Sequence, residues 1–161
     1  MRVRYLEAEN FLSHEREQLA LPAEGMFLLA GDSGAGKSSL IVDAVAFVLF
    51  GAVATRARKQ SDLRHKDHPD QEMSVKAIFE FDSGQRLTVA RGLSASGQAW
   101  ARVYEPESES SEPLLLAEGA QPVGRILRKH LGGMSWQQFY AAFVARQDEI
   151  AKLTSLKGAE R

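Results

Sequence analysis

The sequence Gly31-Asp32-Ser33-Gly34-Ala35-Gly36-Lys37-Ser38 matches G-x-x-x-x-G-K-[ST], a loop pattern that binds nucleotide phosphates. Its glycines permit backbone conformations closed to other residues and let several N–H groups approach the phosphates. We expect Lys37 to reach the β- and γ-phosphates as a point charge, and the Ser38 hydroxyl to ligate Mg²⁺. The predicted nucleotide-binding residues are Ser33, Gly34, Ala35, Gly36, Lys37, Ser38 and Ser39.

The flanking sequence supplies the elements that such a loop needs. Residues 26–30 are typical of a short buried strand, and an almost wholly apolar helix is predicted after Lys37. Asp43 is the only charge in that helix, so we expect it to be buried on all sides, and Gly51 is well placed to end it. The sequence therefore predicts binding of ATP or GTP with Mg²⁺; a glycine-rich turn with a solvated lysine is the alternative.

Composition limits the class of protein. The chain has 161 residues, 44% hydrophobic and 25% charged, which is ordinary for one globular domain with a real core. No apolar run approaches the ~20 residues of a membrane-spanning helix, and we expect a cytoplasmic protein. The chain has no cysteine, which excludes disulfides and thiolate metal sites. Its net charge of −1 means that any contact with nucleic acid must come from a local basic patch.

The alternation of apolar and polar residues predicts two groups of strands. The first is a pair joined by a turn at residues 10–14, and the second is an antiparallel meander. The expected strands span residues 3–8, 15–21, 73–81, 86–91 and 98–104. A helix is predicted over 122–131, and a second helix follows Ser135, which forms a capping-box pattern with Gln138.

Between these elements, residues 52–71 are polar and carry a basic cluster. A solvated loop is the simpler interpretation, and a contact with a phosphate backbone is the alternative, as it is for the basic residues at 125–129. The sequence from His65 to Asp70 contains residue types that bind metals, but Pro69 and the loop setting predict no fixed geometry. We therefore assign no metal site there.

Five motifs in order resemble the N-terminal half of an SbcC-type ATPase, a family that includes the ATPase subunit of the Mre/Rad double-strand-break repair complex. They are Asn10-Phe11-x-Ser13-His14, the phosphate loop, Leu40-Ile41-Val42-Asp43-Ala44, Leu49-Phe50-Gly51 and Arg146-Gln147-x-Glu149-Ile150. The resemblance spans nearly the whole chain. At Leu12 the chain departs from many relatives, which have an arginine there.

The resemblance implies an α/β fold, the P-loop NTPase fold of an ABC-type ATPase head, with an antiparallel β lobe against a parallel α/β core. It implies ATP and Mg²⁺ as cofactors. Gln147 matches the family's Q-loop glutamine, which touches Mg²⁺ and the attacking water, so Lys37 and Gln147 are the expected catalytic residues and Ser38 and Gln147 the expected Mg²⁺ ligands.

The resemblance also implies partners. In this family the signature motif, the Walker B residues and the switch histidine belong to a C-terminal segment beyond a long coiled coil. We expect residues 1–161 to form the N-terminal half of a head, to pair with that C-terminal half, and to dimerise head to head on ATP. The resemblance further implies gating of an SbcD-type nuclease at double-stranded DNA ends, with no membrane and, in bacteria, association with the nucleoid.

Two other classes share the phosphate loop. A chromosome-maintenance head of the SMC or RecF/RecN type would use the same ATP chemistry without a nuclease partner. A self-contained P-loop kinase would need a second substrate pocket and lid arginines, and the predicted antiparallel meander argues against it.

Overall fold

A computed structural model of the chain describes residues 1–22, 24–51, 59–105 and 113–144. Within these ranges, six strands form one sheet in the order β2-β1-β3-β4-β5-β6, and every neighbouring pair is antiparallel. The strands are β1 (Arg2–Phe11), β2 (His14–Ala20), β3 (Met73–Glu80), β4 (Arg86–Leu93), β5 (Ala99–Glu105) and β6 (Leu114–Glu118). The predicted pair and the predicted meander are confirmed, and β6 is an addition that the sequence did not indicate.

One face of the sheet forms the core because apolar residues alternate along its strands. In β3, Val75, Ala77 and Phe79 are fully buried, while the residues between them are at least partly exposed. The helix α1 (Ala44–Phe50) packs against this face. The Phe47 ring lies 5.8 Å from the ring of Phe11 in β1, so the helix after the phosphate loop is anchored to the strand that leads into the first turn.

The helix after Lys37 is buried from Asp43 to Leu49 as predicted, but Ile41 and Val42 are only half-buried. Its first part, Ser39–Asp43, is π-helical rather than α-helical. Gly51 ends the helix in the left-handed conformation (φ +71°), and its N–H donates to the Phe47 carbonyl at 2.7 Å. Nε of the buried Arg91, in β4, donates to the Val48 carbonyl at 2.6 Å. Burial lowers the pKa of the Arg91 guanidinium, and its position at the C-terminal end of α1 suits a cation.

Two further helices follow β6: α2 (Ala120–His130) and α3 (Trp136–Phe143). The predicted capping box is confirmed, because the Gln138 N–H donates to Ser135 Oγ at 3.3 Å and the Ser135 N–H donates to Gln138 Oε1 at 2.9 Å. The aromatic residues of α3 contribute only partly to the core, since Phe139 is buried and Phe143 is 67% exposed.

The strand predicted at residues 26–30 is wrong. The segment has no regular secondary structure, and Met26 and Leu28 are 99% and 90% exposed. A buried strand needs partners on both edges, and none of the described strands lies beside this segment. The parallel α/β core is accordingly not formed within the described ranges, which contain only antiparallel pairs.

The helices of the described ranges are all too short, or not apolar enough, to span a membrane.

Candidate functional site

The phosphate loop lies between the exposed segment at 26–30 and the π-helical turn. The Ala35 N–H donates to the Asp32 carbonyl at 3.2 Å, which closes a turn, and the Leu40 N–H donates to the Gly36 carbonyl at 2.9 Å, which begins the helix. Gly34 and Gly36 have φ of +85° and +81°, values that strain any residue with a Cβ. The glycines of the motif therefore permit the loop to turn directly into a helix N-terminus.

Lys37 extends back over this loop. Its Nζ donates to the Gly31 carbonyl at 2.6 Å and to the Asp32 carbonyl at 2.5 Å, so the ammonium lies beside the backbone of the loop. Ser38 stands in the first helical turn and is exposed. The structure thus brings the predicted residues 33–39 into one continuous turn and helix start, with the Lys37 ammonium beside the loop carbonyls and the Ser38 hydroxyl in the first helical turn.

The turn between β1 and β2 presses against the phosphate loop, a contact that the sequence did not predict. The Nε2–H of His14 donates to the Gly36 carbonyl at 3.1 Å; because a carbonyl only accepts, this contact puts the proton on Nε2. His14 is buried, and a Cβ added to Gly36 would overlap the Ser13 hydroxyl. Ser13 and His14 belong to the first of the five motifs, and the structure makes them neighbours of the loop.

Asn10, in the same turn region, holds the loop that precedes β3. Its Nδ2 lies within hydrogen-bonding distance of three carbonyls, those of His68 (3.0 Å), Glu72 (3.1 Å) and Gln71 (3.3 Å). The Asn10 carbonyl in turn accepts from the His65 N–H at 3.0 Å. Asn10 has a left-handed φ of +51°, which asparagine tolerates better than most residues. One buried carboxamide therefore fixes the path of this loop.

Arg64 makes a second set of contacts within the same loop. Its guanidinium donates to the carbonyls of Pro69 (2.7 Å), Ser94 and Ala95 (3.3 Å). The guanidinium therefore stabilises the loop against the turn between β4 and β5. Arg64 is thus anchored by backbone carbonyls rather than solvated. The contact with a phosphate backbone stays a prediction for region 52–71, and Arg56 and Arg58 lie outside the described residues.

We expect Asn10→Gly to lower the free energy of unfolding by about 2–3 kcal/mol, measured by urea denaturation, because several carbonyls lose their donor. Glycine keeps the left-handed backbone available, so the loss reports the carboxamide rather than backbone strain. A change within about 0.5 kcal/mol, the range of ordinary surface substitutions, would contradict this role.

A cleft of about 750 Å³ opens beside the phosphate loop. It lies between the β1–β2 turn, the start of the π-helical segment and the loop before β3. Its lining includes Leu12, Ser13, Glu15, Ser39, Asp62 and His65. Because Ser39 follows the phosphate loop directly, a molecule whose phosphates sit at the loop could extend its remaining part into this cleft.

Gln147, the second predicted catalytic residue and Mg²⁺ ligand, lies outside the described residues. The last described helix, α3, ends at Phe143. The role of Gln147 therefore stays a prediction.

The basic residues at 125–129 lie on α2, beside a second cleft of about 1000 Å³ that Arg91, Arg125 and Arg128 help to line. Arg125 and Arg128 are exposed. Arg128 and Lys129 lie in the last helical turn, where positive charge stabilises the helix dipole, so their position also has a structural explanation.

The sequence of the chain is similar to those of known ATPases. The sequence profile of the AAA domain family matches residues 5–161. The SbcC component of the nuclease SbcCD from Staphylococcus saprophyticus is 29% identical over 143 residues, covering 84% of this chain and 14% of that protein. The DNA double-strand break repair Rad50 ATPase of Methanopyrus kandleri is 30% identical over 162 residues, covering 97% of this chain and 17% of that protein. The chain thus spans less than a fifth of the length of these two relatives.

The fold also has a solved counterpart. A structure from work on ATP-driven dimerization and DNA-stimulated activation of SMC ATPases matches with a TM-score of 0.66 and 22% identity, covering 99% of this chain and 94% of that chain. This similarity concerns the fold alone. It confirms the predicted class, an α/β P-loop fold of the ABC ATPase head type, in which the described sheet is the antiparallel lobe.

Proposed function

Since the chain belongs to the AAA domain family and is of the SbcC type found in double-strand-break repair ATPases, we propose that it binds ATP as one segment of such an ATPase. The observation that carries this proposal is the phosphate loop itself. It places left-handed Gly34 and Gly36, the ammonium of Lys37 and a helix start within one turn. Backbone N–H groups, a cation and a helix N-terminus are what a polyphosphate needs.

Each part of the loop has its own role in this proposal. Lys37 attracts the β- and γ-phosphates, and the exposed hydroxyl of Ser38 fits the hard oxygen donor that Mg²⁺ prefers. Bound Mg²⁺ would neutralise charge on the phosphates. Gln147 would orient the attacking water with its amide, a group that needs no shifted pKa.

The nucleoside would lie in the cleft beside the loop. Leu12 and Ser39 line this cleft, and Leu12 is held in a left-handed conformation (φ +53°) with its N–H donating to the Leu63 carbonyl at 2.6 Å. The aliphatic side chain of Leu12 offers an apolar surface for the base or the sugar. The arginine that many relatives have at this position would instead offer a positive charge.

Exposed apolar residues support the proposal that a second segment completes the head. Three apolar side chains are exposed shortly before the phosphate loop: Met26 is 99%, Phe27 49% and Leu28 90% exposed. A groove of about 600 Å³ beside them is lined by Phe27, Ile41, Val42, Phe139 and Phe143. Contiguous apolar surface of this kind marks a binding surface. The C-terminal half of the same ATPase is the occupant we propose.

The completed head would then dimerise head to head on ATP and gate an SbcD-type nuclease at double-stranded DNA ends. The names of the two curated relatives support this, because one is part of a nuclease and the other is a double-strand-break repair ATPase. The SMC neighbour supports the ATP-driven dimer.

The decisive experiment measures Mg-ATP binding and hydrolysis by the purified chain, with and without the matching C-terminal segment. We expect the chain alone to bind ATP with little turnover, and turnover to rise by about 10²- to 10⁴-fold on addition of the segment that supplies the general base. Robust turnover by the chain alone would contradict the proposal and favour a self-contained enzyme.

A chromosome-maintenance head of the SMC type is the second candidate, favoured by the TM-score of 0.66 to the SMC structure. The two candidates differ in their partner. Copurification of the complete protein with an SbcD-type nuclease would support the repair ATPase, whereas a stable complex with non-nuclease accessory proteins would support the SMC type.

A further inference from the structure

Two histidines and a glutamate from separate parts of the chain meet beside the phosphate loop. Glu15 belongs to β2, and His65 and His68 belong to the loop before β3. One potential metal-ligating atom from each of the three lies within 4.8 Å of the other two. The His68 Nε2 and Glu15 Oε1 atoms are 3.5 Å apart, and the two imidazole rings stack at 5.5 Å.

This cluster sits on a fixed backbone. The sequence from His65 to Asp70 predicts no metal geometry, because it contains Pro69 and lies in a loop. In the structure, hydrogen bonds hold the backbone of this loop in place. Asn10 donates to the His68 carbonyl at 3.0 Å, and Arg64 donates to the Pro69 carbonyl at 2.7 Å. His65 itself is buried, which further restricts its ring.

The spacing of the cluster suits a transition metal. Bonds of about 2.0–2.1 Å at a tetrahedral ion separate two ligand atoms by about 3.3 Å. The distance between His68 and Glu15 is already close to that value. The other two separations, Glu15–His65 and His65–His68, are at most 4.8 Å. Rotation of the exposed Glu15 side chain can shorten the first, and the second requires the partly exposed His68 ring to move toward His65.

Neighbouring groups can orient both imidazoles. The Gln71 side chain lies 3.4 Å from His68 Nδ1, on the opposite side of the ring from the nitrogen that faces Glu15. At present the Asp67 N–H donates to His65 Nδ1 at 3.3 Å, and the Asp67 carboxylate lies 3.8 Å from the same nitrogen. When His65 Nε2 binds a metal, Nδ1 carries the proton; the Asp67 N–H would then have to move aside so that the carboxylate accepts that proton. Carboxylate and amide partners of this kind are what metal-binding histidines use to fix their tautomer.

We propose that Glu15, His65 and His68 bind a divalent transition-metal ion of the Zn²⁺ class, with water in the remaining coordination position. Two imidazoles and one carboxylate favour Zn²⁺ over Mg²⁺ or Ca²⁺, which take oxygen ligands. The ion would join β2 to the loop before β3 at the wall of the cleft that Glu15 and His65 line. It is separate from the Mg²⁺ assigned to Ser38, because the two ligand sets share no residue.

The test is a Zn²⁺ titration of the tag-free chain in competition with a chromogenic chelator, without nucleotide. We expect about one ion per chain, with affinity lowered ten-fold or more in both His68→Ala and Glu15→Gln, since each removes a direct ligand. His65 is left unchanged because its burial could make a variant unfold. The chain has no cysteine, so thiolates cannot contribute to the binding.

His130→Ala is the matched control, because His130 lies on α2 with its ring 4.6 Å from that of Phe81, outside the cluster. This variant should bind Zn²⁺ as the unmodified chain does. Absence of stoichiometric binding, or equal affinity in His68→Ala and the unmodified chain, would overturn the proposal. Lys37→Ala should retain the metal while binding ATP far more weakly, so a failure of the metal proposal is distinguishable from a failure of the proposed nucleotide function.

Discussion

Replacing Lys37 by alanine will weaken ATP binding by about 100-fold or more, measured by titration calorimetry or with a fluorescent analogue. The ammonium lies beside the loop backbone, 2.5 and 2.6 Å from two of its carbonyls, where it can turn to the phosphates. Hydrogen bonds to charged groups contribute about 1.5–3 kcal/mol each, and 1.4 kcal/mol is ten-fold in affinity. The loss of two such hydrogen bonds between Lys37 and the phosphates accounts for the expected fall in affinity.

Two comparisons make this result specific. Lys76→Ala removes a lysine from β3, where Nζ lies 3.4 Å from Glu7 Oε2, and should leave ATP binding unchanged. Gln147→Ala should keep binding and lose hydrolysis in the completed head, because its proposed role is to orient water. Equal loss of binding in Lys37→Ala and Gln147→Ala would refute the roles assigned to both residues.

Gly36→Ala will have the second large effect, removing ATP binding and destabilising the fold together. A Cβ at this position would overlap the Ser13 hydroxyl and lie 2.6 Å from Nε2 of the buried His14. The left-handed φ of +81° adds about 1–2 kcal/mol of backbone strain, and overpacking typically adds about 1–3 kcal/mol. We expect a lower unfolding midpoint in thermal denaturation and no measurable binding in the same ATP titration.

Gly84→Ala is the matched control for this change. Gly84 has the same φ of +81° in the turn between β3 and β4, but nothing lies within 4 Å of its added Cβ. It should therefore show the backbone strain without the steric overlap, and ATP binding should persist. If Gly84→Ala and Gly36→Ala had the same midpoint and the same affinity for ATP, the contact with the β1–β2 turn would have no role in shaping the loop.

The β1–β2 turn emerges as the support of the candidate site. On one side, His14 donates to the phosphate loop at the Gly36 carbonyl. On the other side, Leu12 donates to the Leu63 carbonyl and Asn10 holds the carbonyls that precede β3. A rearrangement of the phosphate loop or of the loop before β3 would therefore change contacts of the same turn. A few residues thus contact both the phosphate loop and the loop that carries the proposed metal cluster.

Local chemistry made much of this architecture predictable. The phosphate loop is one continuous segment whose glycines, lysine and serine interact with near neighbours, so its position and its following helix could be predicted from residue types alone. The Gly51 ending and the Ser135 capping box are equally local. The meander followed from the alternation in β3 and β4, because a strand with one buried face needs a period of two.

Contacts between distant segments could not be predicted in this way. Hydrophobicity alone predicted a buried strand at residues 26–30, but a strand exists only where neighbours supply hydrogen bonds, and none of the described strands does so. The short β6 has no strong pattern of its own and forms because β5 offers it an edge.

The sequence by itself determined that a phosphate-binding loop, its helix and an antiparallel sheet are present, because each is encoded by residues close together in the chain. The tertiary structure alone decided that Ser13 and His14 press on Gly36, that Asn10 fixes the loop before β3, and that Glu15 meets two histidines. The physical reason is that a side chain's partner across 50 residues depends on strand pairing and register, which the local pattern does not specify.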